Sequence, residues 1–484
     1  MPSTIRKSIK VLNSIMITMV MGLGLSILMP RILGVEDIAV FYTVESLALL
    51  SFTILHMGLT SYIVKNVRGS IEEAREITNP ILVFILFFGI FLFSVMIAVL
   101  NIMEYETKVI QLSALMSVFV VLLNVQKSVL YPLLYNLDFS EFAARLTIVA
   151  KFFQLAMVSL SLFLSGDLYV VIGAFCVAQS IPVLFSLHKL HGIGVLKGVV
   201  SYKKIASMVT VSVPFLLVTV VNEVNASVDI AMLSRFANPF EVAQYGTARK
   251  LSTASTMLIP IFGNVIVPTL AKLQHQDMGA YTNLFLRSVR LVIVFCIALS
   301  LGFGLFSVDV IQLLYGDDFK VSAWILVALS MSVTTTYLNT LISSSVALMT
   351  NGKMMSYFSV GATILNIILN YVFISFAAPL LGPGGAGIAV CLATFTTEMI
   401  NIVSLGLLVR HKVFSRSVCL GLFVSTALSI TMILGFSWIG SQSLLDRIGA
   451  FCIFLPALIL FTRLATISEV MQVKDKVMTR LGRG

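Results

Sequence analysis

Charge is what this sequence has little of. Asp, Glu, Lys and Arg make up 11% of its 484 residues, against about 25% in an ordinary globular chain. Hydrophobic residues reach 58% and the mean hydropathy is +1.02. That balance excludes a water-soluble globular domain. Long polar loops are missing too. The longest outer stretches, Tyr315–Lys320 (YGDDFK) and Ala378–Gly385 (APLLGPGG), are turn-sized. A membrane polymerase or ligase would need a sizeable outer loop for its catalytic residues, so the chain reads as no enzyme. Cysteine is sparse, with five residues in all. Cys176, Cys296, Cys391, Cys419 and Cys452 lie in or at the ends of apolar runs without a C-x-x-C, as small packing residues do. The five histidines form no ligand spacing, so neither a metal nor a cofactor is expected. No G-x-x-x-x-G-K-[ST] loop is present, which leaves no nucleotide site to power a transport step.

What is there is a succession of apolar runs of roughly 20 residues, each long enough to cross about 30 Å of hydrocarbon as a helix. Fourteen such spans are expected, at 10–29, 38–63, 80–101, 109–133, 144–165, 168–187, 206–234, 241–270, 288–308, 323–349, 356–377, 385–409, 417–438 and 447–466. A barrel would show alternating segments of about ten residues instead. The expected fold class is therefore an all-α integral membrane protein. Arg6, Lys7 and Lys10 precede the first run, which is too long for a signal peptide and lacks a cleavage site. It is expected to stay as the first helix.

The net charge of +10 is a topology signal. With the N-terminus in the cytoplasm, cytoplasmic segments hold 23 Lys and Arg residues and outer loops hold 5. Basic residues favour the cytoplasmic side, so both termini are expected there. Scattered over eight short segments, these charges give no nucleic-acid footprint.

Two overlays point to an internal duplication. At a shift of 204, Arg31, Ala39, Thr43 and Leu47 fall on Arg235, Ala243, Thr247 and Leu251. At 215, Ser117, Asn124, Ser128 and Asn136 fall on Ser332, Asn339, Ser343 and Asn351. The shift covers six spans, so both copies keep one membrane orientation. This is a parallel repeat of two six-helix lobes. The expected division is 1–200 for the first lobe (spans 1–6), 201–412 for the second (spans 7–12), and 413–484 for two further helices and a basic tail.

The most polar passage within the apolar chain is Asn222–Leu251. An ionisable group at the centre of a membrane helix costs on the order of 2.5–3.5 kcal/mol, so it normally faces a wet, protein-lined cavity. Helical spacing puts Asn222, Asn225 and Asp229 on one stripe, with Glu223 beside it. Tyr245, Arg249, Ser252 and Thr256 form a second stripe, with Lys250 about 100° further round. Asn124, Lys127/Ser128, Tyr131 and Tyr135 form a third, and Ser359, Thr363, Asn366 and Asn370 a fourth. Lys151 and Glu398 are further embedded charges. The plain alternative for the amide and hydroxyl stripes is helix–helix hydrogen bonding. For Lys127, Arg249 and Lys250 it is snorkelling to the cytoplasmic surface.

The pattern Asp229-x-x-Met232-Leu233, Tyr245-x-x-Ala248-x-Lys250 and Pro268 resembles the seventh and eighth helices of bacterial polysaccharide and O-antigen flippases. These belong to the multidrug/oligosaccharidyl-lipid/polysaccharide exporter superfamily. Pro30-Arg31-x-Leu33-Gly34 with Gly58-Leu59, Leu314-Tyr315-Gly316, Asn351-Gly352-Lys353, and Asn366-Ile-Ile-Leu-Asn370 with Gly384–Ala389 are similar to that family as well. Gln244 stands where the family more usually has glycine before the tyrosine. The resemblance implies two six-helix lobes, two extra helices, and export of an undecaprenyl-diphosphate-linked glycan across the bacterial cytoplasmic membrane.

On that reading the substrate-binding candidates are Arg249, Lys250, Lys127, Asn225 and Tyr245, because a diphosphate needs cations and hydrogen-bond donors. Asp229, which matches the family's aspartate, Glu223 and Glu45 are the candidates for a coupling ion, H+ or Na+. Glu45 overlays Arg249 in the repeat. Expected partners are the lipid-linked glycan, membrane lipid, and possible polysaccharide polymerase and chain-length proteins. The competing reading is a drug or cation antiporter of the multidrug branch, which acidic cavities without Arg and Lys would favour.

Overall fold

A computed structural model describes the chain except Met1, Met57, 257–258, 260–265, 350–352, 409–415, 437–438, 440–441 and 463–484. Asn351 and Gly352 of one family-like motif, the cytoplasmic Arg410 and Lys412, and the basic tail lie outside the described residues, as does the side chain of Asn222.

The described residues are helical almost throughout. In chain order the helices are α1 (Pro2–Phe52), α2 (Leu59–Asn66), α3 (Ile71–Ile102), α4 (Thr107–Val125), α5 (Tyr131–Asn136), α6 (Ser140–Leu164), α7 (Leu168–Gly192), α8 (Tyr202–Phe236) and α9 (Pro239–Ser255). They continue with α10 (Val267–Gln276), α11 (Met278–Tyr315), α12 (Lys320–Met349), α13 (Lys353–Phe376), α14 (Ala378–Leu381), α15 (Gly385–Leu408), α16 (Arg416–Leu434) and α17 (Leu444–Phe461). Ten helical stretches of the described residues are long and apolar enough to cross a membrane. Each of the fourteen expected spans coincides largely with helix where it is described, the second being interrupted by a 3-10 turn at Thr53–His56 and by left-handed Gly58. The two numbers differ partly because the first hairpin runs as one stretch, Met16–Asn66. The protein is thus an all-helical, multi-pass membrane protein.

Local sequence explains where spans begin and bend. Within α1, Gly34 has φ 74° and ψ −176°, a conformation that disfavours any Cβ. With Pro30 just before it, this breaks α1 into the first two spans. Side chains close several helix starts: Asp167 accepts from the Tyr169 N–H at 2.7 Å, and Asp277 from Gly279 and Ala280 at 2.8 and 3.0 Å. Leu86, Phe87, Phe91, Phe163 and Leu164 are among the many large apolar side chains left exposed. Lipid, not water, is the solvent for such a surface.

The chain divides into two compact units, Met1–Gly246 and Thr247–Gly484. In the first, α1 packs on α4, α6 and α8, and α7 packs on α4 and α6. In the second, α12 packs on α11 and α15, α13 on α15, and α11 on α16 and α17. The division falls later than the expected lobe boundary at 200 because α8 packs on α1, α2 and α3.

Candidate functional site

Span 4 is not a continuous α-helix. After α4 the chain makes a π-turn at Gln126–Leu130, where the Tyr131 N–H reaches back five residues to the Gln126 carbonyl. The cause is in the sequence. Pro132 has no N–H, so the Ser128 carbonyl four residues earlier loses its helical donor. The Thr60 hydroxyl on α2 approaches that carbonyl at 3.4 Å. Such single-turn bulges cluster at functional sites. This one splits the polar stripe expected on span 4. Lys127 and Tyr131 turn into a cavity, whereas Asn124 and Ser128 are buried and do not line it.

The cavity has a volume of about 580 Å3 and lies wholly within the first unit. This is within the usual range for ligand pockets, about 300–1,000 Å3. Thr18 and Glu45 reach it from α1, Gln126 and Lys127 from the π-turn, and Tyr131 from α5. Thr147, Lys151 and Gln154 enter from α6, Gln179 from α7 and Glu223 from α8. Met19, Phe41, Leu49, Met116, Phe119, Leu123 and Phe175 supply much of the apolar wall. The Lys151 ammonium donates to Gln154 Oε1 at 2.7 Å. Its stem passes Gly22 of α1, where a Cβ would be in ordinary van der Waals contact with Lys151 Cε at 3.5 Å. Gln126 is held in turn by its Nε2, which donates to Ser186 Oγ at 3.0 Å. The Tyr131 hydroxyl lies beside Thr147 and Gln126, and the Glu223 carboxylate acts electrostatically on Lys127. The described lining therefore carries two cations and two anions. Four charges facing lipid would cost on the order of 10 kcal/mol, so the cavity has to be wet.

Of the expected site residues, Lys127, Glu223 and Glu45 are brought together here. Asp229 and Tyr245 are not. They form a buried pair between α8 and α9, with the tyrosine hydroxyl donating to Asp229 Oδ2 at 2.9 Å. Nearby, Ser46 on α1 donates to the Ser227 carbonyl of α8 at 2.5 Å. Asn225 is exposed on α8. Arg249 and Lys250 belong to the second unit, half-buried on α9. The fourth stripe makes a helix–helix contact through Asn366. Asn370 donates to Asn366 at 3.1 Å, and Asn366 to Thr394 of α15 at 3.3 Å. Glu398 on α15 accepts from the hydroxyls of Thr335 and Thr336 on α12.

Sequence reasoning passed over Thr18, Gln126, Thr147, Gln154 and Gln179. A polar side chain inside each of several separate spans was the available signal. Thr147 and Gln154 stand four residues before and three after Lys151, a stripe with a charge that helical spacing alone could have found.

An all-helical membrane protein with a cavity inside its spans lined by charges of both signs has the build of a transporter. The chain matches the family model described as "Polysaccharide biosynthesis protein" over residues 5–274. It belongs to that family. No curated protein matches the sequence. Among solved structures it is similar to the lipid II flippase MurJ in an inward closed conformation, with TM-score 0.64 and 16% identity over 90% of this chain and 98% of that one. It is also similar to an inward-facing MATE family multidrug resistance transporter of the MOP superfamily, with TM-score 0.59 and 14% identity over 87% and 95% of the two chains. A third is a MOP superfamily transporter from Pyrococcus furiosus, described as having a binding pocket of reverse polarity, at TM-score 0.55 and 12% identity over 83% and 95%. At these identities the likeness is one of fold, and the fold is that of flippases and transporters of this superfamily.

Proposed function

We propose that this protein flips an undecaprenyl-diphosphate-linked oligosaccharide from the inner to the outer face of the bacterial cytoplasmic membrane. The oligosaccharide would be the repeat unit of an O-antigen or of a capsular or exopolysaccharide. The observation that carries the reading is the cavity with Lys127 and Lys151 inside the spans of a polysaccharide biosynthesis family member. A glycan head cannot cross hydrocarbon unaided. Its tail is best left in lipid, where each CH₂ contributes about 0.8 kcal/mol. The protein then has to supply a wet cavity with cations for the diphosphate. Lys127 is the cation proposed to meet it, with Arg249 and Lys250 as candidates in the second unit.

Movement is by alternating access of two parallel-repeat lobes, spans 1–6 and spans 7–12, with both termini in the cytoplasm. An ion gradient drives it. Glu45 and Glu223 are the carboxylates placed in the cavity to take up H+ or Na+, and Asp229 is the further candidate. A polymerase and chain-length proteins are the partners expected to use the exported unit.

The test is reconstitution. Proteoliposomes loaded with a fluorescent undecaprenyl-diphosphate oligosaccharide should show protein-dependent loss of inner-leaflet label when a proton or sodium gradient is imposed. Efflux of lipophilic cations without movement of the glycolipid would instead make the protein a drug antiporter and overturn the reading.

A further inference from the structure

The cavity compensates its own charge. Lys127 and Lys151 face it together with Glu45 and Glu223. An anion entering it therefore meets no net positive field, and it has to compete with a carboxylate already present. Glu223 is set apart from Glu45 by position. It comes from α8 and lines the same cavity as Lys127, and its carboxylate acts electrostatically on the Lys127 ammonium. Lys151 has a neutral partner besides, the Gln154 amide oxygen at 2.7 Å.

We propose that Glu223 is an internal competitor for the substrate's diphosphate: Lys127 exchanges Glu223 for the diphosphate on loading and takes Glu223 back on release. The inference rests on the flippase reading and assigns a specificity and release role within the same cavity. Its physical content is a balance. A cavity lined by lysines alone would hold a diphosphate tightly, because charge-assisted hydrogen bonds to phosphate oxygens are about twice as strong as neutral ones. A transporter gains nothing from binding that it cannot reverse. A carboxylate tethered on a neighbouring helix lowers the net gain on loading and supplies the replacement ligand that frees the lysine for release. No bond is made or broken. Only the counter-ion of Lys127 changes.

The experiment uses the full chain in nanodiscs, with undecaprenyl diphosphate as the probe, and complementation of a glycan-export deletion strain as the transport readout. Wild type is compared with Glu223→Gln, Lys127→Ala and the double variant. Glu223→Gln is expected to bind the probe about tenfold tighter, a shift of about 1.4 kcal/mol, and yet to export less. Lys127→Ala should bind more weakly. The double variant should bind like Lys127→Ala, because without the lysine there is nothing for Glu223 to occupy. Glu223→Ala repeats the comparison should the glutamine variant be poorly folded. Equal or weaker binding by both folded Glu223 variants, beside a wild type that binds, overturns the inference and leaves the flippase reading standing. So does an unchanged tenfold gain in the absence of Lys127. A wild type that binds no undecaprenyl diphosphate overturns both.

Discussion

Tyr245 donates its hydroxyl to Asp229 Oδ2 at 2.9 Å, and the two side chains are only 1% and 2% exposed. The bond ties α8 to α9 around the turn between them. A hydrogen bond to a charged group is worth about 1.5–3 kcal/mol. Tyr245→Phe is therefore expected to lower the thermal midpoint of the detergent-purified protein by several degrees. Asp229→Asn keeps an oxygen for the hydroxyl and should lower it less. The same asparagine variant decides the coupling question in proteoliposomes. A full response to an imposed gradient removes Asp229 as the coupling acid and leaves Glu45 and Glu223.

Gly246 shows a second close contact of α9. A Cβ there would sit 2.2 Å from Tyr42 Cδ2 and 2.6 Å from Cε2, against a fully buried ring. Alanine would favour the helix by about 1 kcal/mol, but overpacking costs about 1–3 kcal/mol, and at 2.2 Å the clash wins. Gly246→Ala should reduce the yield of monodisperse protein. Adding Tyr42→Ala should restore part of it. An alanine variant as stable as wild type would mean that Tyr42 has room to move.

These two contacts mark the limit of what the sequence discloses. The spans were legible because a run of about 20 apolar residues has one physical meaning in this composition. Lys127, Glu45 and Glu223 were legible as site residues because an embedded charge is costly wherever it stands. Direction was not. Ideal 3.6-residue spacing placed Asn124 and Ser128 on one stripe with Lys127 and Tyr131. The π-turn caused by Pro132 separates them, and a proline inside an apolar run does not say whether it kinks or widens the helix. Asp229 and Asn225 are likewise close on a helical wheel, yet one is buried and the other exposed. Packing on α9 decides that, and no periodicity of α8 contains it.

Topology follows from the basic residues. With 23 Lys and Arg expected on the cytoplasmic side and 5 outside, an alkaline phosphatase fused to the C-terminus should be inactive and a fluorescent protein in the same place bright. Active phosphatase there means an odd number of spans.

Arg447 at the start of α17 forms a two-point pair with Asp309 of α11: its Nη2 donates at 3.0 Å and its Nη1 at 2.5 Å, and Nη1 also reaches the Leu305 carbonyl at 3.0 Å. The arginine side chain is 8% exposed and the aspartate 43%. Loss of the arginine leaves a carboxylate that water can still reach, so Arg447→Ala is expected to cost about 1–3 kcal/mol, short of the penalty for stranding a fully buried charge. Arg447→Lys should recover little, because one ammonium cannot reproduce the fork. Limited proteolysis near α17 measures the effect. Equal cleavage rates in all three proteins would show that apolar packing alone seats this helix.

Pro132 offers the sharpest separation of function from stability. Its missing N–H takes the α-helical donor from the Ser128 carbonyl, which the Thr60 hydroxyl approaches, and favours the π-turn that presents Lys127. Pro132→Ala returns the donor, and alanine is the strongest helix former. The turn is then free to close to α, which rotates Lys127 by roughly the 100° that one residue spans on a helix. The expected result is a protein of equal or higher thermal midpoint that binds undecaprenyl diphosphate more weakly and complements export poorly. A merely structural proline would give the opposite signs, with lower stability and unchanged binding in whatever folds. Full export with full stability would show that Lys127 reaches the substrate from either register, and that the widened turn has no part in transport.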